Sequence, residues 1–232
     1  MKYKSQVYTQ ASGSIGGITY SHNRGGMYTR ARSIPVNPSS TFQQAMRGYL
    51  SNLVVRWGQT LTQLQRDAWD VYAGNVLRTD ALGEPRQLTG LNWYLAINSF
   101  RNQCFAGAAT IDDAPTVMTE GVLTPPTVVS ATAATEVLSI GFTNTDLWAS
   151  AISGCLGVYV SPPQSAGINF YKGPYRFAGR ISGAPTPPVS PMPVTSPFPF
   201  AVGNKLFVQF RSTNPTTDGR ISPSFRNFAT GI

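Results

Sequence analysis

Hydrophobic residues recur with a helical period from about residue 39, after an N-terminal segment in which short β-prone runs alternate with glycine pairs. Apolar side chains three and four residues apart form one stripe along the first predicted helix, which Gly58 is predicted to end. Because these side chains share one face, the pattern indicates an amphipathic helix of about five turns. The stripe consists of Phe42, Met46, Tyr49, Leu50, Leu53 and Trp57.

Two further helices are predicted from capping signals. Thr62 precedes Gln65 with the spacing of a capping box, which predicts a second helix that Gly74 closes. A polar loop over 75–88 separates it from a third helix that starts near Thr89, so residues 39–110 are predicted to form a small three-helix unit. The buried positions expected on the second helix are Leu64, Ala68, Trp69 and Tyr72. Those expected on the third are Leu91, Tyr94, Leu95 and Asn98, with Trp93, Ile97 and Phe100 beside them.

From about residue 120 the pattern changes to short alternating runs bounded by proline and glycine, which predicts a C-terminal β domain over 111–232. This number and spacing of strands is typical of an immunoglobulin-like or fibronectin-III-like sandwich. The stretch 183–199 contains seven prolines and is predicted to be a loop or an edge, because proline cannot donate to a central ladder. Strands are predicted at 127–133, 136–143, 154–161, 174–182, 204–212 and 220–229.

Residues 1–38 are predicted to form an extended, glycine-rich arm, which Pro35 and Pro38 end. Its few apolar side chains cannot offset the entropy lost on ordering, so we expect it to order only against another surface, in its own domain or in a neighbouring subunit. The predicted fold class is α+β, with this extended arm, a three-helix unit and the sandwich.

The distribution of charged residues along the chain indicates what kind of partner it binds. Only 12% of residues are charged, against roughly 25% in an ordinary soluble domain, so much of the surface is expected to be covered. Residues 1–66 carry eight basic and no acidic residues, whereas 67–120 carry seven acids and three bases. An acid-free first quarter favours a negatively charged partner, either nucleic acid or the acidic face of another subunit.

Candidate chemistry is sparse, and the chain is predicted not to be an enzyme and to need no cofactor or metal. His22 is the only histidine, which excludes any site that needs two imidazoles. Asp112 and Asp113 are the only adjacent acids and are expected in the linker between helices and sandwich. Cys104 and Cys155 lack the spacing of a disulfide framework or metal site and are expected to be small buried hydrophobes, which leaves the redox compartment open with a reducing cytoplasm as the default.

The arm holds the candidate partner-binding residues. Arginines spaced by two residues point to one face of an extended segment and can pair with acids of a neighbouring subunit. The same residues, with an aromatic ring, could instead contact phosphate and base, which keeps nucleic acid as a secondary partner. We select Tyr20, Arg24, Tyr28, Arg30 and Arg32.

Longer motifs carry a resemblance to a known family. Over residues 10–105 the chain resembles a largely uncharacterised family of structural proteins encoded in tailed-phage and prophage genomes, and the sandwich is similar more loosely through S-P-F-P-F and D-G-R-x-S. The resemblance implies a phage structural context and transfers no catalytic residue. The motifs are S-G-S-I-G-G-x-T-Y-S-x-N-R-G-G-x-Y-x-R-x-R at 12–32, P-V-N-P-x-S-x-x-Q at 35–43, L-T-x-x-Q-R-x-A-W at 61–69 and L-T-G-L-N-x-Y at 88–94.

These observations lead to one principal hypothesis and several alternatives. The chain is expected to be a virion structural protein, made in the host cytoplasm, that decorates the capsid or serves as a minor capsid protein. The expected partners are major capsid, tail or connector subunits, with many copies or a homo-oligomer in the assembly and no membrane contact. A head-tail connector or tail protein, a nucleic-acid-binding phage protein, and a host-surface or glycan adhesin using Tyr171, Tyr175 and Phe198 are the alternatives.

Overall fold

The computed structural model describes residues 11–34, 36–79, 83–105, 107 and 109–232 of the chain. Residues 1–10 of the predicted arm, Pro35, the side chain of Phe42 and residues 80–82 of the predicted loop lie outside this description. The chain divides between Ala45 and Met46 into two compact units.

The N-terminal unit contains a three-stranded antiparallel sheet where an extended arm was predicted. Two-residue turns, Gly16-Gly17 and Arg24-Gly25, join its neighbouring strands. Gly16 has a φ of 58°, a left-handed conformation that glycine adopts without a steric cost. The first glycine pair is therefore a hairpin turn, and the second is divided between a turn, at Gly25, and the start of the next strand, at Gly26. The strands are β1 (Gly13–Ile15), β2 (Ile18–Asn23) and β3 (Gly26–Ala31), and they are defined here as the β-meander.

Helix starts follow the predicted capping signals. The Thr62 hydroxyl accepts a hydrogen bond from the Gln65 backbone N–H, and the Gln65 side-chain oxygen accepts one from the Thr62 N–H at 2.9 Å, which confirms the capping box. Thr89 caps the third helix by accepting from the Asn92 N–H. The first helix passes Gly58 and ends one residue later, because glycine weakens a helix without breaking it. Within the described residues the helices are α1 (Thr41–Gln59), α2 (Gln63–Asn75) and α3 (Gly90–Cys104).

An aromatic core joins α2 and α3. Trp69, Tyr72, Trp93 and Tyr94 are completely buried. Their rings meet edge to face, with centroids 5.6 Å apart for Trp69 and Tyr94 and 5.4 Å apart for Tyr72 and Trp93. Edge-to-face contacts place the positive edge of one ring on the negative face of the next, so this cluster is stabilised beyond its apolar area.

The prediction that Leu64 and Ala68 are buried is wrong. Both are exposed, and Leu64 keeps 80% of its accessible surface. Helix α2 carries two apolar stripes, and the one that contains Trp69 and Tyr72 packs against α3 because it buries far more apolar area.

The loop between α2 and α3 contains a short antiparallel pair, β4 (Arg78–Thr79) and β5 (Pro85–Arg86). In the part of the chain that the structure describes, no helix has both the length and the apolar character that crossing a bilayer requires. The α+β class predicted from the sequence is confirmed by the three described helices and the antiparallel sheets around them.

The C-terminal residues form two antiparallel sheets, with strand orders β10-β7-β6 and β12-β11-β8-β9. The six predicted strands are confirmed as elements: the ends of five lie within two residues of the prediction, but the last begins at Phe225, five residues later than predicted. The proline-rich stretch contributes an additional strand at the edge of the smaller sheet, as expected for a segment that cannot donate fully to a ladder. The strands are β6 (Thr127–Thr132), β7 (Val137–Gly141), β8 (Cys155–Val160), β9 (Arg176–Ser182), β10 (Met192–Thr195), β11 (Lys205–Thr213) and β12 (Phe225–Thr230).

One apolar core lies between the two sheets. Alternate residues of β8 and β11, including Leu156, Val158, Leu206 and Val208, are completely buried in it together with Leu138 of β7. The intervening residues of β8 and β11 point away from this core, because side chains alternate across a strand. We call the side of the larger sheet that bears them its outward face.

Helix α3 packs on the outward face of β8 and β11 within the second compact unit. Its Phe100 ring covers Gly157 so closely that a Cβ on Gly157 would lie 2.8 Å from the ring. The Tyr159 hydroxyl donates to the Gln103 side-chain oxygen, which links β8 to the same helix. Strand β8 is therefore buried on both sides, which explains its nearly continuous run of apolar residues.

The expectation that the two cysteines are unpaired hydrophobic residues is wrong. Cys104 and Cys155 form a disulfide, with Cα atoms 6.7 Å apart. Both residues are buried. The sequence assigned them to separate domains, but α3 ends against the start of β8, so the fold brings the two side chains together.

Candidate functional site

The β-meander has two chemically different faces. Residues directly opposite one another on neighbouring antiparallel strands share a face. Ile15 pairs with Ile18, Ile18 with Ala31, Tyr20 with Thr29 and His22 with Met27. We call this side, which carries Ile15, Ile18, Ala31, Tyr20 and Met27, the apolar face of the meander.

The opposite side of the β-meander is polar and basic. Thr19 pairs with Arg30, and Ser21 pairs with Tyr28. The Ser14 and Thr19 hydroxyls lie 2.8 Å apart on this side and share a hydrogen bond. We call it the basic face.

The structure places the five predicted partner-binding residues in four positions. Tyr28 and Arg30 lie together on the basic face. Tyr20 lies on the apolar face, and Arg24 occupies the turn between β2 and β3. Arg32 follows β3, where its backbone N–H donates to the Gly17 carbonyl oxygen at 2.8 Å. The five residues therefore do not form one cluster, since alternation along β2 separates Tyr20 from the others.

None of the described residues between 11 and 45 is buried. Ile15 keeps 78% of its accessible surface and Ile18 keeps 46%. A small sheet is stable in water only when an apolar face is covered, so the β-meander by itself lacks the usual source of stability. Its arginines are also without a carboxylate: among the described residues, the ion pairs are Arg56–Asp112, Arg78–Glu120 and Arg220–Asp218.

Asp112 and Asp113 lie after the helices, in a segment that packs against them. The Arg56 guanidinium donates to both carboxylate oxygens of Asp112, with Nε to Oδ1 at 2.8 Å. The Trp69 indole N–H donates to the Asp112 carbonyl oxygen at 2.8 Å, and the Gln65 amide donates to Asp113. These contacts attach the segment to α1 and α2, so the aspartates have a structural task. No cluster of His, Cys, Asp or Glu suited to a metal ion occurs in the described ranges.

The aromatic residues suggested for an adhesin divide between two places in the sandwich. Tyr171 and Tyr175 contact edge to face, with ring centroids 5.4 Å apart. Phe198 lies elsewhere, beneath the guanidinium of Arg176 at 5.5 Å. Sequence reasoning missed the partners of the tyrosine pair, Phe207 and Phe228, because only the pairing of β11 with β12 makes them neighbours.

Burial raises the pKa of several tyrosines. It raises the pKa of Tyr72 to about 12 and that of Tyr159 to about 12. Burial also raises the pKa of Tyr94, and the nearby Asp112 carboxylate contributes because it disfavours a second negative charge.

These shifts predict a loss of stability in alkali. In the unfolded chain tyrosine loses its proton near pH 10, whereas folded Tyr72 and Tyr159 hold theirs until about pH 12. Between these values the unfolded state binds fewer protons, so we expect the free energy of unfolding to fall as the pH rises through this window. Urea unfolding at a series of alkaline pH values, followed with tyrosinate absorbance, measures the effect. The Tyr72→Phe variant should show a shallower decline, and full tyrosinate absorbance near pH 10 in folded protein would contradict the prediction.

Comparisons with known proteins give no identification: no family model, curated protein or solved structure matches this chain.

Proposed function

We propose that this chain is a non-enzymatic structural subunit of a tailed-phage virion, a capsid decoration or minor capsid protein anchored by its N-terminal segment. The observation that carries the proposal is the β-meander, an amphipathic sheet with no buried residue among those described. Such a sheet gains its missing apolar contacts when it packs on a neighbouring subunit. The motifs within residues 10–105 that resemble phage structural proteins supply the phage context.

Charge supports a protein partner. Arg24, Arg30 and Arg32 belong to an acid-free stretch of sequence and have no carboxylate partner among the described residues. A guanidinium group binds carboxylates in a bidentate manner, so these arginines suit an acidic surface on an adjacent subunit. In this arrangement the apolar face packs on one surface of the assembly, and Arg30, on the opposite basic face, contacts a second, acidic surface.

The sandwich suits a projecting module of such a particle, and we propose that it belongs to the immunoglobulin-like or fibronectin-III-like class. In the smaller sheet, β7 lies in the middle and pairs with β6 on one side and β10 on the other. In the larger sheet, β8 and β11 are the two central strands and pair with each other. Strand β9 pairs with β8 at one edge, and β12 pairs with β11 at the other. This division of seven strands into sheets of three and four supports that class.

Incorporation into particles tests the proposal. Burying an isoleucine is worth about 1.5–3 kcal/mol, so replacing Ile15 and Ile18 together by glutamine should reduce incorporation at least tenfold (about 1.4 kcal/mol per factor of ten). The copy number is measured by mass spectrometry of purified particles. The matched control is Thr19→Gln, which introduces the same side chain on the other face of β2 without removing an apolar group, and should be incorporated normally. Particles without the chain, or normal incorporation of the isoleucine variant, would overturn the proposal.

A variant in which three arginines of the N-terminal segment are replaced by glutamate distinguishes a protein partner from a nucleic-acid partner. The Arg24→Glu, Arg30→Glu, Arg32→Glu variant should also lose incorporation. If the partner is a subunit, the wild-type chain should not bind DNA at physiological salt. A DNA complex whose affinity falls steeply with salt, and which the reversed variant lacks, would support the nucleic-acid alternative.

A further inference from the structure

A small aromatic cavity opens on the outward face of the larger sheet, where the loop around residues 168–175 crosses β11 and β12. Its volume is about 160 Å³. This is below the roughly 300–1,000 Å³ of pockets that enclose drug-sized ligands, so it can hold a single ring unit of a longer molecule. Its walls include Phe170, Tyr171, Tyr175, Phe207, Phe228 and Arg226.

The ring arrangement is built by strand pairing and by the loop. Phe207 and Phe228 are directly opposite each other on β11 and β12, with ring centroids 6.1 Å apart. Tyr171 stacks on Phe207, with centroids 6.0 Å apart and planes 21° from parallel. Tyr175 then contacts the edge of Tyr171. The four rings therefore form a continuous aromatic surface that reaches the solvent at Phe228, which is 51% exposed.

Hydrogen bonds hold the two tyrosines in place. The Tyr171 hydroxyl donates to the Pro174 carbonyl oxygen at 3.0 Å, and the Tyr175 hydroxyl donates to the Tyr171 carbonyl oxygen at 2.9 Å. The loop is thus fixed by its own side chains. A cavity with fixed rings requires little ordering when a ligand binds, which favours affinity.

The charged groups at the cavity are positive. Arg226 is exposed, lines the cavity and lies with its guanidinium 5.7 Å from the centre of the Tyr175 ring. Lys205 is only 7% exposed; its ammonium lies 4.1 Å from the centre of the Phe228 ring and donates to the Asn169 side-chain oxygen at 3.4 Å. Among the described residues, neither cation has a carboxylate partner.

This combination selects a ligand class. Aromatic faces with a negative quadrupole attract the C–H groups on the face of a sugar ring. Two cations without a counter-ion favour a carboxylate and disfavour a cationic ligand. We propose that the cavity binds one acidic sugar unit, a hexuronic acid within a polysaccharide, with its ring on Phe228 and Phe207 and its carboxylate at Arg226. This site is independent of the β-meander and goes beyond the assembly role.

Single-stranded nucleic acid suits the site less well. Proteins that bind such strands combine stacked aromatic residues with a basic groove that follows several successive phosphates. Here Arg226 is the exposed cation that lines the cavity, and Lys205 is almost completely buried beside the Phe228 ring.

The test titrates the full chain with a trimer of galacturonic acid, with the same trimer as its methyl ester, and with a short thymidine oligonucleotide. Isothermal calorimetry and chemical-shift changes of the Tyr171 and Tyr175 rings report binding. We expect the acidic trimer to bind at least tenfold more tightly than its ester, since esterification removes the negative charge and leaves the sugar rings unchanged. Binding should weaken with salt.

Two variants and a matched control assign the binding to this cavity. Arg226→Gln should reduce affinity for the acidic trimer at least tenfold and remove the preference over the ester. Phe228→Ala should weaken both trimers. Arg176→Gln changes an exposed arginine that covers Phe198 outside the cavity and should leave binding unchanged. Absence of binding, indifference to Arg226→Gln, or tighter binding of the oligonucleotide would each overturn the proposal.

Discussion

Replacing Trp69 by alanine should destabilise the second compact unit by about 3–5 kcal/mol, the range measured when a large aromatic side chain is removed from a core. Trp69 is completely buried and contacts the rings of Tyr72 and Tyr94. Its indole N–H also donates to the Asp112 carbonyl oxygen, so the substitution leaves a partly buried acceptor without its donor. Urea unfolding followed by circular dichroism measures the loss as a lower transition midpoint.

The same helix offers a matched control for this prediction. Leu64 lies on α2 but is largely exposed, so Leu64→Ala should change the free energy of unfolding by no more than about 0.5 kcal/mol. A similar loss in both variants would contradict the prediction, because alanine is the stronger helix former at both positions and only burial against α3 distinguishes them. A loss confined to Trp69→Ala would establish that the aromatic core holds the helices together.

Removing the disulfide should have an effect of similar size. The bond between Cys104 and Cys155 joins residues 51 positions apart. Closing a loop of this length restricts the unfolded chain and stabilises the fold by about 4 kcal/mol in the chain-entropy model. We therefore expect the Cys104→Ala, Cys155→Ala variant to unfold at a clearly lower urea concentration than the oxidised wild type.

Reductant provides the control for the disulfide. Because both cysteines are buried, the wild type should be reduced slowly while folded and quickly once unfolded. With reductant present, the urea midpoint of the wild type should fall close to that of the double variant. Reductant should not change the midpoint of the double variant. Two titratable thiols in unreduced, denatured wild type would contradict the pairing.

The disulfide has a structural consequence for the junction between helices and sandwich. It ties the last residue of α3 to the first residue of β8. Arg101, which is buried, donates from the same helix to the Asn214 carbonyl oxygen after β11. These contacts, with the packing of Phe100 on Gly157, make the helices a covering layer on the larger sheet.

Local signals predicted the elements well. The Thr62 and Gln65 capping box, the helix start at Thr89 and the edge position of the proline-rich stretch follow from hydrogen bonding within a few residues. Strand positions likewise follow from alternation and from the prolines and glycines that bound each run. The β-meander was only partly predicted: the sequence indicates its β-prone runs but places the glycine pairs in an extended arm, whereas Gly16-Gly17 forms a turn.

The candidate sites show where local signals are insufficient. Alternation alone places Arg30 and Arg32 on one side of an extended strand, which the sequence indicated. That Tyr20 and Tyr28 lie on different faces of the sheet depends on the register of β2 against β3. The aromatic cavity depends on contacts between residues even farther apart in sequence than those of β2 and β3, because its rings come from a loop and from two strands.

The sequence by itself determined the α+β class, the positions of the capped helices and most strands, and the concentration of positive charge near the N terminus. These depend on period, composition and contacts between near neighbours. Only the tertiary structure decided which stripe of α2 is buried, that Cys104 and Cys155 are bonded, and that Phe207, Phe228 and Arg226 share a cavity. The physical reason is that each of these outcomes depends on which surfaces pack together, and packing joins residues whose separation along the chain leaves no local pattern.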